Sequence, residues 1–192
     1  MKVGLRDWAG AARQEGAQVV LIAVPELSLL GALTRAPADS PIYEELGDEE
    51  NIPVIGHCLG GQLMSKALGG SVTRNPVKEI GWGTVHVDRN PEAERWFAAA
   101  VDEARLATVF HWHGETFSIP PGAVRLLSGP FCANQMFALG PHLGMQCHVE
   151  MTPEMITAWS THWADEMAGI TEQASIQSPE QMMGDTATHL AP

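Results

Sequence analysis

Ile52-Pro53-Val54-Ile55-Gly56-His57-Cys58-Leu59-Gly60-Gly61-Gln62-Leu63-Met64-Ser65-Lys66-Ala67-Leu68 joins an apolar, β-branched run to a helical pattern through a cysteine flanked by glycines. The run predicts a buried strand, and Gln62 to Leu68 a helix. Between them G-x-C-x-G has the form of a nucleophile elbow, a tight strand-to-helix turn. Its glycines are needed where backbone segments approach too closely for side chains. Cys58 at such a turn stands above a sheet edge beside a helix N-terminus, where free N–H groups and the macrodipole favour the reactive thiolate. The plainer alternative is a buried cysteine in a glycine-rich turn.

Working outward, Gly144-Met145-Gln146-Cys147-His148-Val149-Glu150 predicts a short strand. Alternation then puts Gln146, His148 and Glu150 on one face and Cys147 on the other. A histidine and a carboxylate on one face can meet a thiol together, the imidazole taking the proton and the carboxylate orienting it.

Three blocks carry a resemblance: IPVIGHCLGGQLMSKALGG, FHWHGETFSIPPGA and GMQCHVEMTPEMI. Spanning about Ile52 to Trp163, they resemble the signature blocks of class I, triad-type glutamine amidotransferases, in particular stand-alone members related to the glutaminase part of GMP synthase. The resemblance implies Cys58 as nucleophile, His148 as general base and acid, and Glu150 as the orienting carboxylate. It implies backbone N–H groups of Leu59 and of Gly31 as oxyanion donors. Where the family has a Gly-Gly pair, this chain has Leu29-Leu30-Gly31-Ala32. It implies substrate contacts from Gln62 and from the backbone at Trp112 and Gly114. Val149 stands where the family usually has proline. Both termini read as abbreviated relative to the family.

The remaining chain predicts helices and strands in alternation. Gln18 to Val24 reads as a strand behind a helix over Arg6 to Gly16, and Thr34 to Glu50 as an acidic loop. Ser71 to Arg74, Ile80 to Val87, Ala107 to His113, Ala123 to Ser128 and Phe131 to Leu139 read as further strands. Asn90-Pro91, Thr152-Pro153 and Ser178-Pro179 have the form of helix starts, the first running to about Val101. Met155, Trp159 and Trp163 form a stripe expected to be core. The expected fold is α/β, one domain over 1–192, with an open, largely parallel sheet flanked by helices. The resemblance adds a flavodoxin-like architecture.

Composition narrows the partners. A net charge of −12, from 23 acidic and 11 basic residues, opposes nucleic-acid binding. No apolar run reaches a membrane span's length, and the N-terminus lacks signal-peptide regions. Three unpaired cysteines fit a reduced, cytoplasmic setting. Cys132 and Cys147 read as inert core thiols. His111-x-His113, His57-Cys58 and Cys147-His148 lack the spacing of C-x-x-C or H-E-x-x-H, so neither metal nor cofactor is expected.

The expected activity is hydrolysis of glutamine's side-chain amide through a Cys58 γ-glutamyl thioester, with ammonia passing to a separate synthase chain. A γ-glutamyl peptide or conjugate hydrolase with the same triad is the first alternative. The second is a catalytically impaired binding module, motivated by the missing Gly-Gly.

Overall fold

The computed structural model describes residues 53–97, 103–167 and 173–190, together with the backbone of 20–23. The expected helix over Arg6 to Gly16, the Leu29 to Ala32 segment with Gly31, and the acidic loop lie outside the described residues. The expected strand over Gln18 to Val24 is present as β1 (Val20–Ala23).

The apolar run of the elbow forms β2 (Val54–His57). It pairs in parallel with β1 on one side and with β7 (His142–Met145) on the other. Between β2 and β7 in sequence come β3 (Val72–Val87), β4 (Leu106–Phe117), β5 (Val124–Ser128) and β6 (Met136–Leu139). Among the described residues the seven strands lie in the order β1-β2-β7-β6-β5-β3-β4.

The α/β architecture is as expected, with the parallel character confined to β1, β2 and β7. The remaining strand pairings are antiparallel, and one of them, β6 with β7, is closed by a tight turn. Gly140-Pro141 separates Leu139 from its partner His142, with Gly140 at φ 56°. Such a turn cannot make the long crossover that a parallel neighbour requires.

Several strand boundaries differ from expectation: β6 begins at Met136 and not at Phe131, and β4 runs past His113 to Phe117. The segments expected over Ser71 to Arg74 and Ile80 to Val87 are one strand, β3. Its register against β4 shifts between Arg74 and Glu79, so an extra loop of chain bulges out without ending the pairing. The strand expected over Gly144 to Glu150 stops at Met145. Beyond it the chain leaves β6 and exchanges two backbone hydrogen bonds with β4, His148 N–H to Phe110 O at 2.8 Å and Phe110 N–H to His148 O at 3.1 Å. β4 is last in the strand order, so this bridge curls the sheet back on itself.

The helices begin where local chemistry dictates. α1 (Leu59–Ala67) starts directly after Cys58, earlier than its apolar pattern suggested, and Gly69 at φ 86° follows its end. Asn90 caps α2 (Pro91–Phe97) by accepting the Ala93 N–H at 2.8 Å; the stretch expected to carry this helix to Val101 lies outside the described residues. Thr152 caps α3 (Pro153–His162), which is followed by α4 (Ala164–Met167). Ser178 and Gln181 form a reciprocal capping box on α5 (Pro179–His189).

The core divides around the sheet. Val85, Val109, Leu126, Met145 and Cys147 form one buried cluster. Ile80, Phe110, Trp112, Ile156 and Met182 form another, against which Trp159 and Trp163 pack. Helix α1 sits on β2 and β7 at backbone-to-backbone distance. A Cβ at Gly56 would lie 2.6 Å from the Gly60 carbonyl carbon, and one at Gly61 would lie 2.3 Å from the Met145 carbonyl oxygen. No larger residue fits at either position without moving the helix off the sheet.

Candidate active site

Cys58 occupies the point where β2 becomes α1, at φ 47° and ψ −107°. A non-glycine residue in this region is strained. The strain sits on the cysteine itself, while the flanking glycines supply close approach.

Five groups surround the half-buried thiol. Its S–H donates to Trp112 O at 3.7 Å, and the Gln146 side-chain amide donates to Sγ at 3.6 Å. The Leu59 backbone N–H also points at the sulfur, and Glu115 and Glu150 lie near enough to oppose its ionisation. Burial pushes the thiol up to about 12, against the Leu59 N–H and the Gln146 amide, which act the other way. Burial thus opposes the thiolate expected beside a helix N-terminus. The helix-end attraction is worth roughly 0.3–1 kcal/mol, and removing a thiolate from water costs more than that.

Gln62 lies one turn into α1 and is fully buried. Its amide donates to Gln146 Oε1 at 3.0 Å. Gln62 thus holds the residue that holds the sulfur, and its own Oε1 is buried without a hydrogen bond. Gln146 was legible in the sequence only as a side chain on the histidine's face; its contact with the thiol is a tertiary fact.

His148 Nδ1 lies 2.6 Å from Glu150 Oε1. The two side chains meet as expected, although by an irregular turn after β7 and not by strand alternation. His148 is fixed by its backbone exchange with Phe110 and by the edge of the Trp159 indole, 5.0 Å between ring centroids. Trp159 was expected to be core alone. His148 Nε2 is buried and makes no hydrogen bond. Glu150 is one-third exposed. Its partial burial would raise the carboxyl, but contacts with His148 and His57 hold it well below the usual carboxylate range.

His57, next to the nucleophile, is the residue sequence reasoning missed. Its Nδ1 lies 2.7 Å from Glu150 Oε2. Its only signal was its place beside Cys58.

Of the expected substrate wall, the Trp112 carbonyl touches the thiol. Gly114 borders a cavity of about 420 Å³ lined also by Arg74, Lys78 and Glu115. A Cβ at Gly114 would meet only ordinary contacts with Lys78.

Two sets of side chains bring metal-ligand atoms within 4.8 Å of one another: His57, His148 and Glu150, and the fully buried Glu79, His111 and His113. In the first, both histidines lie against Glu150; in the second, His113 lies against Glu79 while His111 meets His113 ring to ring and its Nδ1 has no hydrogen bond. There His113 Nε2 lies 3.0 Å from Glu79 Oε2, which also accepts from Gln135 Nε2 at 2.8 Å; His113 Nδ1 lies 2.9 Å from Glu115 O.

The chain is 32% identical over 130 residues to the glutamine amidotransferase-like protein YfeJ of Salmonella typhimurium, covering 67% of this chain and 53% of that one. It is 32% identical over 139 residues to the glutamine-hydrolysing GMP synthase of Teredinibacter turnerae, covering 70% and 25%. The chain thus spans about half of the first relative and a quarter of the second. A glutamine amidotransferase structure from Methylobacillus flagellatus superposes with a TM-score of 0.67 at 36% identity, over 88% of this chain and 64% of that one. One from Thermotoga maritima superposes with a TM-score of 0.66 at 27% identity, over 91% and 72%. Residues 34–158 match the family described as glutamine amidotransferase class-I, and with more than half of its length inside that family this chain belongs to the class I glutamine amidotransferases.

Proposed function

We propose that the protein hydrolyses the side-chain amide of glutamine, with Cys58 as nucleophile, His148 as general base and acid, and Glu150 as the orienting carboxylate. One observation carries the reading. Glu150 takes Nδ1 of His148, leaving a buried Nε2 without a partner in the same site as a thiol whose ionisation burial opposes.

The steps follow from those groups. His148 Nε2 accepts the thiol proton as sulfur attacks the amide carbon, so no standing thiolate is required. The oxyanion forms beside the Leu59 N–H, and a second donor is assigned to the backbone at Gly31. His148 returns the proton to the departing ammonia. It then takes a proton from water, whose oxygen attacks the thioester carbon; glutamate leaves and the thiol is restored. Glutamine and water give glutamate and ammonia. Gln62 acts here by holding Gln146 against the sulfur, and the backbone at Trp112 and Gly114 lines the substrate side.

A separate synthase chain as ammonia acceptor is part of the proposal, supported by relatives that include a glutamine-hydrolysing GMP synthase. Among the described residues no helix is long and apolar enough to cross a membrane, which is in keeping with a cytoplasmic role. The cavity beside Gly114 favours a second reading, a γ-glutamyl conjugate hydrolase, because it offers room beyond a bare amide.

Ammonia release from glutamine and from γ-glutamyl conjugates, by wild type and Cys58→Ala, is the test. Release lost in the variant supports the assignment, and the substrate preference separates the two readings. Equal release by both proteins removes Cys58 from the chemistry. An absence of release together with no adduct from a glutamine-like electrophile would favour the binding module.

A further inference from the structure

Glu150 has two oxygens and two imidazoles. Oε1 faces His148 Nδ1 at 2.6 Å, and Oε2 faces His57 Nδ1 at 2.7 Å and the Val149 N–H at 2.8 Å. The His57 contact is close but off-axis, since its Nδ1 has no aligned hydrogen bond. His57 is nevertheless buried, at 6% exposure, and its backbone is held between β1 and β7 by pairing with Ala23 and Met145. The carboxylate, by contrast, is one-third exposed and could turn toward water.

We propose that His57 is a positioning residue that clamps the outer oxygen of Glu150, so that the inner oxygen stays on His148. The inference rests on the triad reading above. The clamp also divides the carboxylate's charge between two rings. A neutral His57 draws hydrogen-bonding capacity from Glu150, and a protonated one adds positive charge 6.4 Å, centroid to centroid, from the His148 ring. Either way less of the carboxylate is left for His148. The charged and titratable groups facing this pair among the described residues are Glu150, Cys58 with its neighbour Glu115, and His111 from β4. None of them takes His57's place on Oε2.

The test has one arm that needs no turnover. Nitrogen NMR of the imidazoles in the unmutated protein reports which ring nitrogen carries hydrogen. The clamp requires His57 to be protonated at Nδ1; a His57 with hydrogen on Nε2 alone overturns it, whether or not the protein hydrolyses glutamine. The second arm compares His57→Phe, which has no donor, with His57→Asn, whose amide places a donor near Nδ1. His57→Phe should lower kcat roughly tenfold with little change in KM. It should also move the acid limb of the kcat/KM profile upward, on the order of half a pH unit. His57→Asn should recover most of both effects. Wild-type values in His57→Phe, or equal loss in both variants with an unmoved acid limb, would reduce His57 to packing. Should His57→Phe not fold, the NMR arm and His57→Asn still decide. A wild type that shows the Nδ1 proton but no turnover would count against the glutaminase reading alone.

Discussion

Among the described residues lie two clusters of two histidines and a glutamate, and they are built oppositely. Glu79, His111 and His113 lie on the antiparallel β3–β4 pair. Their carboxylate is 5% exposed and further tied by Gln135. His57 is the last residue of the parallel strand β2, and His148 and Glu150 lie past the end of β7. Their carboxylate reaches solvent, His148 Nε2 has no partner, and a strained cysteine adjoins His57. Each set leaves a buried ring nitrogen without a hydrogen bond, His111 Nδ1 in the first and His148 Nε2 in the second, so the knot is the set closed to solvent and the open valence is the one whose carboxylate reaches it beside a cysteine. Neither composition nor an orphaned ring nitrogen separates structural from chemical histidines; solvent access at the carboxylate and the neighbouring thiol separate these two sets.

The largest effect that could break this comparison is expected at Cys58. Replacing it with alanine should cut ammonia release by at least about 10⁴-fold, as removal of a covalent nucleophile does, with the melting temperature little changed. Next comes Glu150→Gln. Its amide cannot accept from both imidazoles through both atoms, so kcat should fall about 10³-fold with the fold intact. Glu79→Ala should do the reverse. Breaking the closed cluster strands a buried His113 and should cost about 3–5 kcal/mol of stability, read by denaturant titration. Electrophile labelling of Cys58 should survive wherever the protein remains folded. If Glu79→Ala instead abolished turnover in fully folded protein, the division between knot and valence would collapse.

The smallest expected effect sharpens the same contrast through pH. Burial holds His111 down to about 4 from an ordinary value of 6.5, against the pull of Glu79. The unfolded chain then takes up a proton below pH 6.5 that the folded chain refuses. Stability should therefore be greatest above pH 6.5 and fall progressively toward pH 4, by up to about 3 kcal/mol from this residue. His111→Gln should flatten that slope in pH-dependent unfolding. An unchanged slope would show that His111 is not kept neutral by its surroundings.

Much of the site was legible from local chemistry. Gly56, Gly60 and Gly61 around Cys58 reported an elbow because close backbone approach admits only small residues. Asn90, Thr152 and Ser178 before prolines reported helix starts because a cap is a contact within one turn. The His148–Glu150 pairing was legible from a spacing of two, although the strand invoked for it ends at Met145. What stayed hidden depends on distant partners. Nothing near residue 148 says that Phe110 takes its backbone, or that Trp159 supports its ring. His57 looks like any strand residue until Glu150 is folded over it. Gln62 was expected at the substrate; its amide is taken instead by Gln146, 84 positions away.

The seat of α1 on β7 has a mechanical corollary. At Gly61 the nucleophile's helix rests on the Met145 main chain with no side chain between them, one residue before Gln146 and three before His148. Side chains act as springs, absorbing small displacements by changing rotamer; bare peptide against peptide has no such give. Any push applied to the outer end of that helix is therefore delivered undamped to the segment bearing the imidazole.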